Sequence, residues 1–507
     1  MLFNTPQYLL FLPFVVLVYY CIPKGIRYIW LLVVSYYFYM QWNALYVTLL
    51  FSCTLLTYLG GRMIQWLRDK GSDSRKIGRK ICFVSCIMLN LAVLGFFKYA
   101  DFGISLLNHL LSYLHAGQIG WNRNIILPVG ISFYTLQALG YLIDVYRGDI
   151  YAEKSILKYA LFISFFPQLV AGPIERSRNL LVQLHKPQPF CYENLRKGSL
   201  LVLYGLFLKM VIADRAAMFV DTVYENSETY PGFYIVVATA FFAIQIYCDF
   251  YGYSTIARGS ALIMGIRLMD NFKAPYYARS VKEFWRRWHI SLSGWFRDYL
   301  YIPLGGNRKG LMRREGNLIA VFAVSGLWHG ASLAFVFWGL LNGWYQVMGD
   351  AVAKGKEYVM QYRNKWEWVR EGNVNDADCR FSTKLLQTIA TFALVTFAWL
   401  FFRAGGLKQS MEMIGSMISC NNWTIFFDGS LFELGVARNY MTVLIMAIVV
   451  LFRVDYHKYH GRDVADMLLS QGWYFRVSVY MMMIFSILLY GCYGELYDTQ
   501  QFIYFQF

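Results

Sequence analysis

The sequence predicts an all-α polytopic membrane protein that forms a single multi-pass domain over residues 1–507. Three observations carry that reading. Hydrophobic residues make up 57% of the 507 positions and charged residues only 15%, against about 25% charged in soluble domains. Aromatics reach 19%, with 40 Phe and 40 Tyr. The apolar residues also fall into many separate runs, more than one water-soluble core encloses.

The formal charge is +16. Its basic residues lie between the apolar runs, as they do in the cytoplasmic segments of membrane proteins. Membrane lipid is therefore the expected surrounding and no nucleic-acid partner is inferred, although some of these cations can meet anionic headgroups or substrates. The nine Cys are odd in number and scattered, with no C-x-x-C. Neither a disulfide framework nor a metal site is expected.

Taken in order, the first apolar run covers residues 8–21 and has no Lys or Arg before it. A cleaved signal peptide opens with positive charge, so this run reads as a retained span. Residues 28–59 hold two spans parted by a turn at Gln41 and Asn43. Residues 62–80 carry seven basic and two acidic residues and read as a cytoplasmic loop. Counting back over three spans places the N-terminus outside and the Lys24–Arg27 turn inside. A span over 81–97 precedes an amphipathic stretch, 102–114, expected at the interface with His109 and His115 on its surface. Further runs cover 125–143, 159–171, 200–213, 233–247, 318–338, 385–402, 440–452 and 477–490. Several fall short of the roughly 20 residues a simple span needs, which suggests tilted or re-entrant helices around a thinned membrane. The largest polar loop is 355–384. It separates a core of about 1–350 from C-terminal helices at about 385–507.

Two stretches concentrate chemistry. If residues 283–296 are one helix, Trp285, Trp288, His289, Leu292 and Phe296 share a face, and Glu283 pairs with Arg287 four residues on. An interfacial helix with Trp and snorkelling Arg gives the same pattern, and residue types alone leave both open. Pro303 then stops a helix and Gly305-Gly306-Asn307 turns the chain toward Arg308, Lys309, Arg313 and Arg314. His329 is the lone ionisable residue of the 318–338 run. One account is a hydrogen-bonded core histidine. The other is a general base, because burial penalises imidazolium and leaves a ring able to accept a proton. Gly326 and Gly330 beside it would let a substrate approach the backbone. His185, His457 and His460 read as solvated loop residues, Asp249 and Arg258 as a structural ion pair, and Pro167 and Pro173 as the end of a span. No G-x-S-x-G, P-loop or H-E-x-x-H is present, so covalent serine catalysis within this chain is unsupported.

The block Phe284-Trp285-Arg286-Arg287-Trp288-His289-Ile290-Ser291-Leu292-Ser293, with Trp295-Phe296-Arg297-Asp298-Tyr299 and Pro303-Leu304-Gly305-Gly306-Asn307, resembles the membrane-bound O-acyltransferase family. Within it, the sequence is similar to the bacterial alginate and peptidoglycan O-acetyltransferase branch. Gly326-Leu327-Trp328-His329-Gly330 matches the family's catalytic-histidine motif. Pro167–Ile174, Trp399–Ala404 and Phe502–Phe507 match further blocks. The pattern departs at Tyr251 and Thr255, where a small residue and Asp are expected.

The resemblance implies a ring of tilted and re-entrant helices around a central funnel. An acyl thioester, acetyl-CoA, would enter from the cytoplasm and a hydroxyl acceptor from the other face, with no permanently bound cofactor. His329 would be the general base and His289 would orient or polarise the donor. Trp288, Ser291, Arg297, Asp298, Asn307 and Trp328 would line the donor or substrate path. The product would be an O-acetylated extracytoplasmic polysaccharide, made with an extracytoplasmic SGNH-type partner protein at the bacterial inner membrane. D-alanyl transfer to teichoic acid from a carrier-protein thioester is the alternative within the family. A transporter is the alternative outside it, although no inverted repeat supports one.

Overall fold

A computed structural model of the chain describes residues 1–70, 73–121, 127–170, 172–366 and 381–493. Every regular element among them is a helix, as the composition predicts. α1 (Pro6–Cys21) and α2 (Arg27–Met40) flank the Lys24–Ile26 turn, and α3 (Tyr46–Asp69) follows the expected turn after Met40. α4 (Asp73–Tyr113) is one helix of 41 residues. It joins the expected span at 81–97 to the expected interfacial segment at 102–114, since no proline interrupts the stretch. The basic residues of 62–80 therefore stand on the ends of α3 and α4 rather than on a loop. At 1.5 Å per residue α4 is about 60 Å long, twice the hydrocarbon thickness, so it reaches beyond the bilayer.

α5 (Ile131–Arg147) precedes α6 (Ile156–Ser164), which stops at Phe165 so that Pro167 can enter the first turn of α7 (Phe166–Leu169). There its missing N–H costs nothing. Residue 171 of this motif lies outside the described residues, as do 502–507. After α8 (Leu180–Leu184), α9 (Tyr192–Phe207) passes through a π-turn, Leu208–Ala213, into α10 (Asp214–Glu225). α11 (Phe233–Ile263), α12 (Val281–Arg287) and α13 (Ile290–Phe296) follow. Next come α14 (Leu311–His329), α15 (Leu333–Trp366), α16 (Phe381–Arg403) and α17 (Leu407–Ser419). α18 (Arg438–Tyr459), α19 (Val464–Leu469) and α20 (Trp473–Tyr490) complete the order. Among the described residues, 6 helices are long and apolar enough to cross a membrane, which makes this a multi-pass membrane protein.

The apolar run 318–338 is two helices, not one. Gly330 takes an extended backbone (φ −160°, ψ 154°) and closes α14, and α15 folds back along it. α15 also continues to Trp366, into the stretch read as a polar loop.

By internal contacts the chain forms two units, one from residues 1–211, 248–270 and 465–507, the other from 212–247 and 271–464. In the first, α3 packs on α4 and α5, α2 on α6 and α7, and α9 on α20. Its buried Glu175 accepts the Met269 N–H and the Asn179 amide, both at 2.6 Å. Burial pushes this carboxyl up to about 7 while those hydrogen bonds pull it back. The expected Asp249–Arg258 pair does not form. Nine residues on one helix place the two side chains half a turn apart. Asp249 instead pairs with Lys209 at 2.8 Å and Arg258 with Asp270 at 2.6 Å. In the second unit, α15 packs on α14, α16 and α12, and α12 also packs on α16.

Candidate active site

Ser280 caps α12 by accepting the Glu283 N–H at 3.1 Å. Glu283 in turn accepts the Arg279 N–H and the Arg287 side chain, each at 2.9 Å, so the expected Glu283–Arg287 pair is present. The helix then stops. Trp288 is extended (φ −103°) and His289 is left-handed (φ 42°, ψ 54°) before α13 begins. A single helix over 283–296 is thereby overturned. The cause is the upstream segment that holds Asn271 and Lys273. The Lys273 N–H donates to the Arg287 carbonyl (3.0 Å), the Ile290 N–H to the Asn271 carbonyl (2.9 Å) and the Ser291 N–H to Asn271 Oδ1 (3.4 Å). These bonds take up backbone groups that the break frees, and they hold a conformation that a non-glycine residue enters at a cost of about 1–2 kcal/mol.

The break turns His289 inward, where it is only 1% exposed. Away from water its imidazole is pushed down to about 3, because burial disfavours the charged form. Trp288 is equally buried and sits among Tyr247, Phe272, Phe284 and Trp399, with ring centroids 5.0–5.8 Å away.

His329 is the last residue of α14 and is 4% exposed. Trp338 and Phe402 each stand edge-on to its ring at 5.2 Å, and Trp328 at 4.9 Å. The Trp328 ring also lies 6.2 Å from that of His289. One indole therefore lies beside both histidines, one in the break before α13 and the other at the end of α14. Trp399 stacks on Trp338 at 5.5 Å and connects the Trp288 cluster to the His329 wall.

Ser291 is fully buried within α13. Arg297, Asp298 and Asn307 do not join the pair of histidines. Arg297 binds its neighbour Asp298 at 2.8 Å with its side chain 68% exposed, and Asn307 accepts the Tyr301 hydroxyl at 2.5 Å on the exposed turn. Arg308, Lys309 and Arg313 are exposed beside it. Arg314 instead binds Asp350, which Lys282 also reaches at 2.9 Å.

The glycines beside His329 serve the packing of α14 against α15. A Cβ at Gly326 would collide with the Phe335 carbonyl, one at Gly339 with the Phe322 carbonyl, and one at Gly330 with the Phe335 ring. Backbone meets backbone there, three residues before His329. Gly326→Ala is expected to open the α14–α15 contact at a cost of about 1–3 kcal/mol and to lower activity by displacing the imidazole. Melting temperature and turnover of the purified variant check this; unchanged values for both would show that the contact does not position His329.

Sequence reasoning missed Asn271, Trp338 and Phe402 as parts of the site. Phe402 lay inside a recognised block, but nothing local marked Asn271, an isolated polar residue in a connecting segment.

The profile described as the MBOAT, membrane-bound O-acyltransferase family matches residues 151–359, a stretch that holds both histidines. The probable alginate O-acetylase AlgI of Pseudomonas putida is 35% identical over 426 residues, 84% of this chain and 82% of that protein. The chain belongs to the membrane-bound O-acyltransferase family. It is thus an acyltransferase, as its motifs imply. The peptidoglycan O-acetyltransferase of Helicobacter pylori is 32% identical over 457 residues, covering 83% of this chain and 80% of that one. The teichoic acid D-alanyltransferase of Bacillus subtilis is 25% identical over 294 residues, 55% of this chain and 69% of its own length. Within this membrane-bound O-acyltransferase, the first unit supplies residues 151–211 of the matched region and the second most of the remainder.

Proposed function

We propose that this protein takes an acetyl group from a cytoplasmic thioester, acetyl-CoA, and passes it to a hydroxyl for O-acetylation of an extracytoplasmic polysaccharide. The observation that carries this reading is the pair of buried histidines joined by Trp328. His329 accepts the proton of the attacking hydroxyl as its oxygen bonds to the acyl carbon. The carbon–sulfur bond then breaks and the thiolate leaves, its sulfur taking the proton that His329 accepted, which returns the imidazole to its neutral form. A neutral His289 is suited to donate an N–H to the thioester carbonyl, as an imidazole kept uncharged can polarise a carbonyl. The surrounding aromatic rings exclude water that would hydrolyse the thioester. Trp288 and Ser291 support the break that aims His289, and Trp328 positions both rings. Arg297, Asp298, Asn307 and the exposed Arg308, Lys309 and Arg313 form the charged donor entrance, where cations raise the local concentration of a polyanion.

Similarity over more than four fifths of the chain to an alginate O-acetylase and a peptidoglycan O-acetyltransferase supports acetyl transfer over D-alanyl transfer, whose relative aligns with only 55% of it. Purified protein given acetyl-CoA and acceptor is expected to release free thiol at a rate set by both. Acyl uptake from a carrier-protein thioester alone would replace this reading with the D-alanyl one. An extracytoplasmic SGNH-type partner would complete the transfer to polymer.

The same reading sets the chain in the bacterial inner membrane with its N-terminus outside and the α3–α4 connection in the cytoplasm, because seven basic residues gather at 62–80. In a cysteine-free background, a cysteine at Ser74 is expected to resist an impermeant maleimide in intact cells. Ready labelling there would invert the topology.

A further inference from the structure

A cavity of about 170 Å³ opens at the turn between α1 and α2, in the first unit. That exceeds by several times the roughly 30 Å³ that a water molecule takes up in the liquid. Lys24, Arg27, Lys158 and Lys186 line it, and no Asp or Glu does. Among the described residues none of these four forms an ion pair with a carboxylate.

Two of these cations are held in place. Arg27 is 8% exposed, lies over the Tyr19 ring at 5.0 Å and donates to the Gln188 carbonyl at 2.7 Å. Its charge is thus buried beneath the cavity while its donors hold the loop that carries Lys186. Lys158 donates to His185 Nδ1 at 3.0 Å, and His185 Nε2 meets Glu153 at 2.6 Å. His185 is exposed, as expected, and also serves as a bridge. It orients the Lys158 ammonium and holds the Glu153 carboxylate, which does not line the cavity. Four cations, Arg27 and Lys158 held by hydrogen bonds and Lys24 and Lys186 exposed, surround a pocket with no acidic lining and are poised for a multivalent oxyanion, since ammonium groups suit phosphate as point charges.

The level of the cavity narrows the ligand. It lies where α1, an apolar helix of 16 residues, ends. Tyr20, which stacks edge-on against Phe190 at 5.2 Å, and Trp30, which donates to the Val15 carbonyl at 3.1 Å, stand beside that turn. Tyr and Trp gather at the headgroup level of membrane proteins, where anionic phospholipid phosphates lie. We infer that this cavity is a phosphate-recognition site, taking the headgroup phosphate of an anionic phospholipid or a free phosphate of the same chemistry. It shares no lining residue with the histidine site.

Thermal unfolding of the full-length protein in phosphatidylcholine-containing micelles tests this with two probes, phosphatidylglycerol and inorganic pyrophosphate. A ligand that binds only the folded state raises the melting temperature saturably. Saturation by phosphatidylglycerol alone assigns the site to lipid, and saturation by pyrophosphate assigns it to soluble phosphates. In Lys24→Gln/Lys186→Gln, two exposed changes, half-saturation is expected to rise about tenfold or more. Lys408→Gln/Arg462→Gln removes the same charge elsewhere and should titrate like the parent. No rise with either probe, or equal half-saturation in the two double variants, overturns the proposal.

Discussion

His329→Gln is expected to insert and fold yet to lose acyl transfer by about 10²–10⁴-fold, the usual worth of general base catalysis. Glutamine has similar bulk and can stand between Trp328, Trp338 and Phe402, which enclose the imidazole edge-on. It cannot take a proton near neutral pH. His289→Gln should cost less, because an amide N–H can still reach a carbonyl although it is aimed differently. The measurement is acetyl transfer per folded protein, with folding read by size-exclusion profile and melting temperature. Near-normal turnover by folded His329→Gln would falsify the general-base role. A selective loss in His329→Gln with unchanged thioester binding separates proton transfer from donor binding.

Lys209→Met is expected to cost about 3–5 kcal/mol of stability, because it leaves the Asp249 carboxylate buried without its cation. Lys209 and Asp249 are 1% and 4% exposed and 2.8 Å apart, and the ammonium also lies over the Tyr253 ring at 5.5 Å. The methionine nearly preserves the length of the side chain, so the loss reports charge rather than volume. Replacing both partners, as Lys209→Met/Asp249→Leu, should recover much of the loss, since an apolar pair of similar volume is often neutral. Melting of the three variants in detergent decides it. A single variant as stable as the parent would show that water or another cation solvates Asp249.

The apolar runs were legible because helix burial in lipid depends on local composition. Both histidines and Trp328 were legible because their motifs are compact. The breaks were not. The 3.6-residue pattern of Trp285, Trp288 and Leu292 continues through His289, and only bonds from Asn271 and Lys273 interrupt the helix there. The Gly330 break and the role of Gly326 likewise depend on Phe335 and Gly339 of the next helix. Lys209 sits in a π-turn, and its partner was assigned to Arg258 because nearness in sequence stood in for nearness in space. In α4 the error ran the other way, since a drop in hydrophobicity was read as an end where the backbone simply continues.

The left-handed backbone at His289 has a consequence for anyone moving this site to another scaffold. A side chain's direction follows from its backbone, not from its place in a motif. Grafted onto a straight helix, Trp288-His289-Ile290-Ser291 would keep its letters and point its imidazole elsewhere. A working transplant has to carry the turn itself, with an Asn271 equivalent to clamp it, because a site holds its geometry only as well as its supports do.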